Sequence, residues 1–245
     1  MRLTRCYVPA PLHAGDARLL PRDVSAHVAR VLRARAGQML TLFDGRGGEY
    51  DARIVAIDRR GVQVQIEVHR AVERESPLAV TLLQALARGE RMDFIVQKAT
   101  ELGVAAIVAL ASERSVVRLD AEGLARRCEH WRAVAISACE QCGRNRVPGI
   151  AAVTDLASAC AQSDAASRRL LLAPGADLTL TAAARQASSI SLAVGPEGGF
   201  SDEELALAQH HGFQCCRLGP RVLRAETAPL AALAAVQAVA GDFLG

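Results

Sequence analysis

Two stretches near the C-terminal end carry residues that could do chemistry: SISLAVGPEGGFSDEE at 189–204 and CCRLGPRVLRAET at 215–227. Each is an apolar run that stops at Gly-Pro, passes through a loop dense in Gly or Arg, and reaches a helix start. Pro gives no donor to a sheet ladder and biases the residue before it away from helix, so Gly195-Pro196 ends the first run and Gly219-Pro220 the second. Gly198 and Gly199 can take backbone angles closed to other residues and let a ligand lie directly on the main chain. Ser201 followed by Glu204 spells a capping box, and Asp202 and Glu203 suit the positive end of the helix it opens. Those acids argue against a phosphate at this place, and no GK[ST] ending follows, so the loop is not a P-loop. The second loop carries Arg221, Arg224 and Glu226 ahead of an Ala-rich helix. Together the loops offer main-chain groups and two carboxylates, Glu197 and Glu226, to a ligand that is not an anion.

Other reactive residues point less clearly. Cys139 and Cys142 form C-x-x-C, but a redox pair gains from a helix N-terminus, where the dipole favours thiolate, and this pair ends a helical pattern that stops at Gly143. Zinc would need a second pair at similar spacing; Cys215 and Cys216 are adjacent, and His210-His211 fits no standard ligand pattern. The seven cysteines are therefore read as reduced, small apolar residues, and no metal is expected. Charge is uneven: residues 1–74 hold 13 Arg against 8 acids in a chain whose net charge is only +3. An arginine surplus suits a phosphate backbone, which guanidinium forks match bidentately. In HVARVLRARAG, Arg30 and Arg33 are expected on one side of a short helix ending at Gly37. Arg114 in SERS, and Arg144, Asn145 and Arg146 in GRNR, are expected as exposed polar clusters that contact RNA, against the plainer reading of a solvated surface.

These residues need elements to hold them. With 245 residues, 51% hydrophobic and 22% charged, the chain can bury a real core. No apolar run approaches the roughly 18 residues of a membrane span. The start MRLTRCYVPA has no apolar h-region or small-residue cleavage site, so a cytoplasmic protein is expected. From Gln38 the order is strand, DGRGG turn, strand, turn, then VQVQIEVHR, where Val62, Val64, Ile66 and Val68 alternate with polar residues. Residues 1–72 thus read as a small β-barrel. ERESPL at 73–78 is a plausible linker, and from 78 to 245 short apolar runs alternate with helix-compatible segments. That rhythm predicts an α/β domain with a mostly parallel sheet, whose ligands bind at the C-terminal strand ends.

In order and at fitting distances, QKATELG, SERSVV, EQCGRNRVP, GPEGGFSDEE and LGPRVLRAETA resemble the ribosomal RNA small subunit methyltransferase E family, of the knotted SPOUT methyltransferase class. RVLRARAGQMLTLFDGRGGEY is similar to that family's RNA-binding barrel, and the resemblance covers nearly the whole chain. TRCYV departs from it, since the family more often has paired aromatics there. The resemblance implies a PUA-like N-terminal domain and a C-terminal SPOUT domain with a trefoil knot, which ordinary topology rules disfavour. It further implies S-adenosylmethionine as methyl donor and ring nitrogen 3 of one uridine in 16S ribosomal RNA of the small subunit as acceptor. The cofactor would lie on Gly195, Pro196, Glu197, Gly198 and Gly199 and on Leu218, Gly219 and Leu223. A sulfonium cation suits a pocket with Glu197 and Glu226 nearby.

For the reaction, Glu226 is the candidate base for the uracil proton, and Arg224 the candidate group stabilising charge on the uracil oxygens. The last helix, APLAALAAVQAVAG, has Gln237 as its only polar residue, so it must be buried on nearly every side. Part of it is expected to be covered by a second copy, in keeping with the dimers of the family. The rival readings are a non-catalytic RNA-binding ribosome-assembly protein and an enzyme acting on a small metabolite. The intact Gly-Pro loops speak against the first and the basic N-terminal part against the second.

Overall fold

The computed structural model describes residues 4–115, 120–153 and 155–244. Val116 and Val117, the end of the SERSVV motif, lie outside them. The chain divides into two compact units, Met1–Glu75 with Cys139–Val147, and Ser76–Ala138 with Pro148–Gly245. The cut falls inside the ERESPL segment, but EQCGRNRV returns to the first unit, which a single cut in a linker does not anticipate.

The first unit holds a five-stranded sheet in the order β1-β3-β4-β5-β2. Its strands are β1 (Thr4–Tyr7), β2 (Ala17–Leu19), β3 (Met39–Phe43), β4 (Glu49–Asp58) and β5 (Gly61–Arg70). β3, β4 and β5 form the antiparallel meander that the alternation predicts, β2 adds antiparallel to β5, and β1 lies parallel to β3. Val62, Val64 and Ile66 point into the core with Leu40, Leu42 and Ile54, whereas Val68 is exposed. The cause is a bulge: Ala52 pairs with Ile66 and Asp51 with Val68, and the irregularity re-aims the strand beyond it. Where TRCYV lacks paired aromatics, Tyr7 packs on Phe43 with ring centroids 5.6 Å apart, and the Arg5 guanidinium lies 5.0 Å above the Phe43 ring.

Helix α1 (Arg22–Ala26) runs on into a π-helical turn, His27–Val31, and stops there rather than at Gly37. Arg33 lies beyond it at φ +50°, in the left-handed region. It therefore does not share a helix face with Arg30, as the spacing suggested.

The second unit is a six-stranded, wholly parallel sheet in the order β11-β9-β10-β6-β7-β8. The strands are β6 (Ala79–Ala85), β7 (Ala106–Leu110), β8 (Gly149–Val153), β9 (Arg168–Leu172), β10 (Ser189–Val194) and β11 (Gln214–Cys216). Helices α2 (Arg91–Glu101), α3 (Ala121–Cys142), α4 (Leu156–Gln162), α5 (Leu180–Ala183), α6 (Asp202–His210) and α7 (Thr227–Ala240) fall between or after them, the last residues of α3 from Cys139 on belonging to the first unit. Central strands are covered on both faces, which is why they read as continuous apolar runs: Leu82, Leu83, Leu192 and Ala193 are all buried. On α7, Ala232, Leu233, Val236 and Gln237 are buried. Gln237 is satisfied there, since its Nε2 donates to the Leu102 carbonyl at 3.1 Å and its Oε1 accepts from Ser76 Oγ at 2.7 Å. No helix among the described residues is long and apolar enough to cross a membrane.

Candidate active site

The two Gly-Pro loops leave the C-terminal ends of β10 and β11, but those strands are not neighbours, because β9 runs between them. Its own exit, Leu172-Ala173-Pro174, makes a third wall, which the motifs do not reveal. The three exits enclose a cavity of about 350 Å³. Gly195, Pro196, Glu197, Gly198 and Gly199 line it on one side, and Leu218, Gly219 and Leu223 on another. The first loop folds back on itself: Gly199 N–H donates to the Pro196 carbonyl at 2.9 Å. A Cβ on Gly195 would sit 3.1 Å from the Phe200 backbone nitrogen, so any larger residue would push the loop by a few tenths of an ångström.

The SERS motif buttresses that loop. The capping box forms as expected, with Ser201 Oγ accepting from Glu204 N–H at 3.2 Å and Glu204 Oε2 accepting from Ser201 N–H at 2.9 Å. Glu204 also accepts from Ser112 Oγ and from Glu113 N–H, both at 3.0 Å. Arg114, expected in an exposed cluster that contacts RNA, is exposed and donates to the Gly198 carbonyl at 3.1 Å and, at 3.4 Å, to that of Phe200. Its guanidinium thus holds the Gly195–Gly199 loop from outside.

Glu197 and Glu226 come together through a residue that the motifs miss. Arg91, the first residue of α2, donates from Nη1 to Glu197 Oε1 at 2.7 Å, and its Nε lies 3.8 Å from Glu226 Oε2. The two loops therefore do not present a bare acidic surface, since one guanidinium offsets both carboxylates. Glu226 is the N-cap residue of α7, but its side chain makes no capping bond, and its buried Oε2 has no hydrogen-bond partner. Arg224 is exposed. The adjoining cavity wall is made by Leu223, Ala225 and Ala228, and neither Arg224 nor Glu226 is part of it.

The GRNR cluster is not the exposed patch its polarity suggested. Arg144 is 4% exposed and Asn145 0%. Arg144 makes a two-pronged pair with Glu75, at 3.1 Å from Nε and 2.5 Å from Nη2. Burial works against its charge, but the Glu75 hydrogen bonds prevail and raise its pKa further. Asn145 accepts from Arg5 Nη2 at 2.7 Å and donates to the Val72 carbonyl at 2.5 Å. Only Arg146 keeps an exposed side chain, paired with Glu73 at 3.1 Å. These residues tie the returning segment to the first unit. The neighbouring Cys139 is buried and its thiol is pushed up to about 12, chiefly by that burial, which leaves it a poor nucleophile. Arg30 and Arg33, by contrast, are exposed and have no ion-pair or hydrogen-bond partner among the described residues.

The two units match family models of one class, the RNA methyltransferases. The family model for the RNA methyltransferase domain matches residues 74–237, and that for the RNA methyltransferase PUA domain matches residues 20–67. Within that class, the chain belongs to the ribosomal RNA small subunit methyltransferase E family. The Mycobacterium bovis member is 34% identical over 94% of this chain and 89% of its own. The Neisseria gonorrhoeae member, solved bound to S-adenosyl methionine, is 38% identical, covers 99% of this chain and 100% of its own, and superposes with a TM-score of 0.92. A Legionella pneumophila protein solved with bound cofactor SAM is 40% identical over 99% of this chain and 100% of its own, with a TM-score of 0.93.

Proposed function

We propose that this protein transfers the methyl group of S-adenosylmethionine to ring nitrogen 3 of one uridine in 16S ribosomal RNA, and that it works as a homodimer. The observation that carries the reading is the cavity at the ends of β9, β10 and β11. Its volume, about 350 Å³, lies in the range of small-molecule sites. Leu172, Val194, Leu218 and Leu223 give it apolar walls that suit a purine and its ribose, while the backbone of Gly195–Gly199 offers polar groups. Bound there, S-adenosylmethionine supplies an activated methyl group. Glu197 at the wall favours a cation, tempered by Arg91.

The chain's own work is to hold the uracil ring and take its proton. Glu226 serves as base for the proton on ring nitrogen 3, with Arg91 beside its carboxylate. Arg224 stabilises the charge that builds on the uracil oxygens. Arg30 and Arg33 grip RNA, with Arg114 and Arg146 at the edge of that task. Arg144 and Asn145 shape the first unit from within. The half-covered, Ala-rich side of α7 packs against a second copy, which light scattering at working concentration checks as a dimer mass.

The deciding experiment incubates the protein with labelled donor and small ribosomal subunits lacking the modification, then maps the methylated base. Label on ring nitrogen 3 of a single uridine is expected; absence of label, or label on another atom, overturns the reading. In the same assay Glu226→Gln is expected to slow single-turnover transfer by about 10²- to 10⁴-fold at saturating donor. An unchanged rate removes Glu226 as base.

A further inference from the structure

A second cavity, of about 540 Å³, lies within the first unit between α1 with its π-helical turn and the β4–β5 hairpin turn. Arg22, Ser25, Arg30, Ile57, Arg59 and Arg60 are among the residues that line it. Its walls are fixed to each other. Ser25 Oγ donates to the Leu20 carbonyl at 3.0 Å and accepts from Val62 N–H at 3.1 Å, which pins the helix to the start of β5. Gly61 makes this approach possible, because it sits at φ +137° and a Cβ there would come within 2.8 Å of Ser25 Oγ.

The charge balance of this cavity is one-sided. Among the described residues, Asp58 is the one acid in its lining. Arg60 meets it with its backbone N–H at 2.8 Å, Nε at 3.2 Å and Nη2 at 2.9 Å. Those bonds, led by the side-chain one, hold the Asp58 carboxyl below the usual carboxylate range. Arg22, Arg30 and Arg59 are then left exposed, with no acid or hydrogen-bond acceptor on them among the described residues. Like charges around one concave place repel one another unless an anion supplies the counter-charge. Three separate guanidinium forks on an open rim suit a chain of phosphates better than a single one.

Resting on the RNA-substrate reading above, we propose that this cavity is the phosphodiester-binding site of the first unit, with Arg22, Arg30 and Arg59 each meeting the backbone of the substrate RNA. The site enlarges the expected Arg30 contact and adds two residues that lie apart from it in sequence.

The test uses the full-length protein and a 16S ribosomal RNA transcript in filter binding across a potassium chloride series. The triple substitution Arg22→Ala, Arg30→Ala, Arg59→Ala is expected to weaken binding at low salt by at least tenfold. It is also expected to flatten the plot of log affinity against log salt by about 2, at roughly 0.7 per lost phosphate contact. The matching triple lysine variant is expected to keep most of the slope. Melting temperature should not fall and donor affinity should not change, because all three side chains are exposed, mutually repulsive and outside the first cavity. A wild-type slope in the alanine triple overturns this site while leaving methylation of RNA standing. Failure of the unaltered protein to methylate or bind RNA overturns both readings.

Discussion

Arg91 shows how much one side chain can decide. It bridges Glu197 and Glu226 from two different loops, with the three side chains 39%, 32% and 22% exposed. Water screens such pairs, so each is worth about 1 kcal/mol or less. Arg91→Ala loses the tie between the two loops but uncovers carboxylates that favour a cation, so it is expected to change S-adenosylmethionine binding by no more than about threefold in either direction by calorimetry. A loss beyond about tenfold would place Arg91 in direct contact with the ligand instead. Arg144 is the opposite case: its partner Glu75 would be left unpaired beside buried groups. Arg144→Ala is expected to lower stability by about 3 kcal/mol in urea unfolding, and a drop under 1 kcal/mol would return it to the surface class. Neither role was legible in the sequence. An arginine spells the same whether buried or solvated, and Arg91 has no repeat or spacing around it that announces two distant acids. The glycines were legible, because a tight backbone turn restricts residue type locally.

At the scale of elements, what is local in sequence could be read and what is tertiary could not. The capping box at Ser201 and Glu204 and the alternation in β5 are short-range patterns, and the structure forms the box and keeps the alternation as far as Ile66. β1 and β2 are short edge strands of 4 and 3 residues, too brief for a period to show, and β8 is a GIAAV run with no polar alternation. Helix α1 ends early because the π-helical turn leads into Arg33 with positive φ. The capping box also shows a loop held by two elements at once. Glu204→Ala removes half the box together with both bonds to the Ser112–Glu113 backrest. It is expected to cost about 1–2 kcal/mol and to raise the donor dissociation constant with it. Gly195→Ala is expected to weaken donor binding by about tenfold or more with little loss of overall stability, as the loop must shift by a few tenths of an ångström to clear Phe200 N. Full donor affinity in that variant would show that the loop does not need its tight turn.

At the scale of the whole molecule, the buried thiols set how it meets alkali. Burial pushes Cys6, Cys139 and Cys216 up to about 12 and Cys160 up to about 11, against about 8.5 for a free thiol. Two of these lie in the first unit and two in the second, so neither unit escapes the effect. The sign follows from proton binding. Below about pH 8 both folded and unfolded chains keep these protons and nothing is lost. Above it the unfolded chain releases them while the folded one cannot, so stability falls until the pH reaches the folded values. Each such thiol contributes a slope of about −1.4 kcal/mol per pH unit across that window. Urea midpoints measured under reducing conditions at pH 7, 9 and 10 are expected to fall steeply over the last two points. Cys216→Ala, which empties the site of its proton while keeping a small apolar side chain, should flatten the slope by about that one contribution. A wild-type slope in the variant would mean that this thiol keeps an ordinary affinity for its proton, and that the packing between β11 and β9 leaves it open to water.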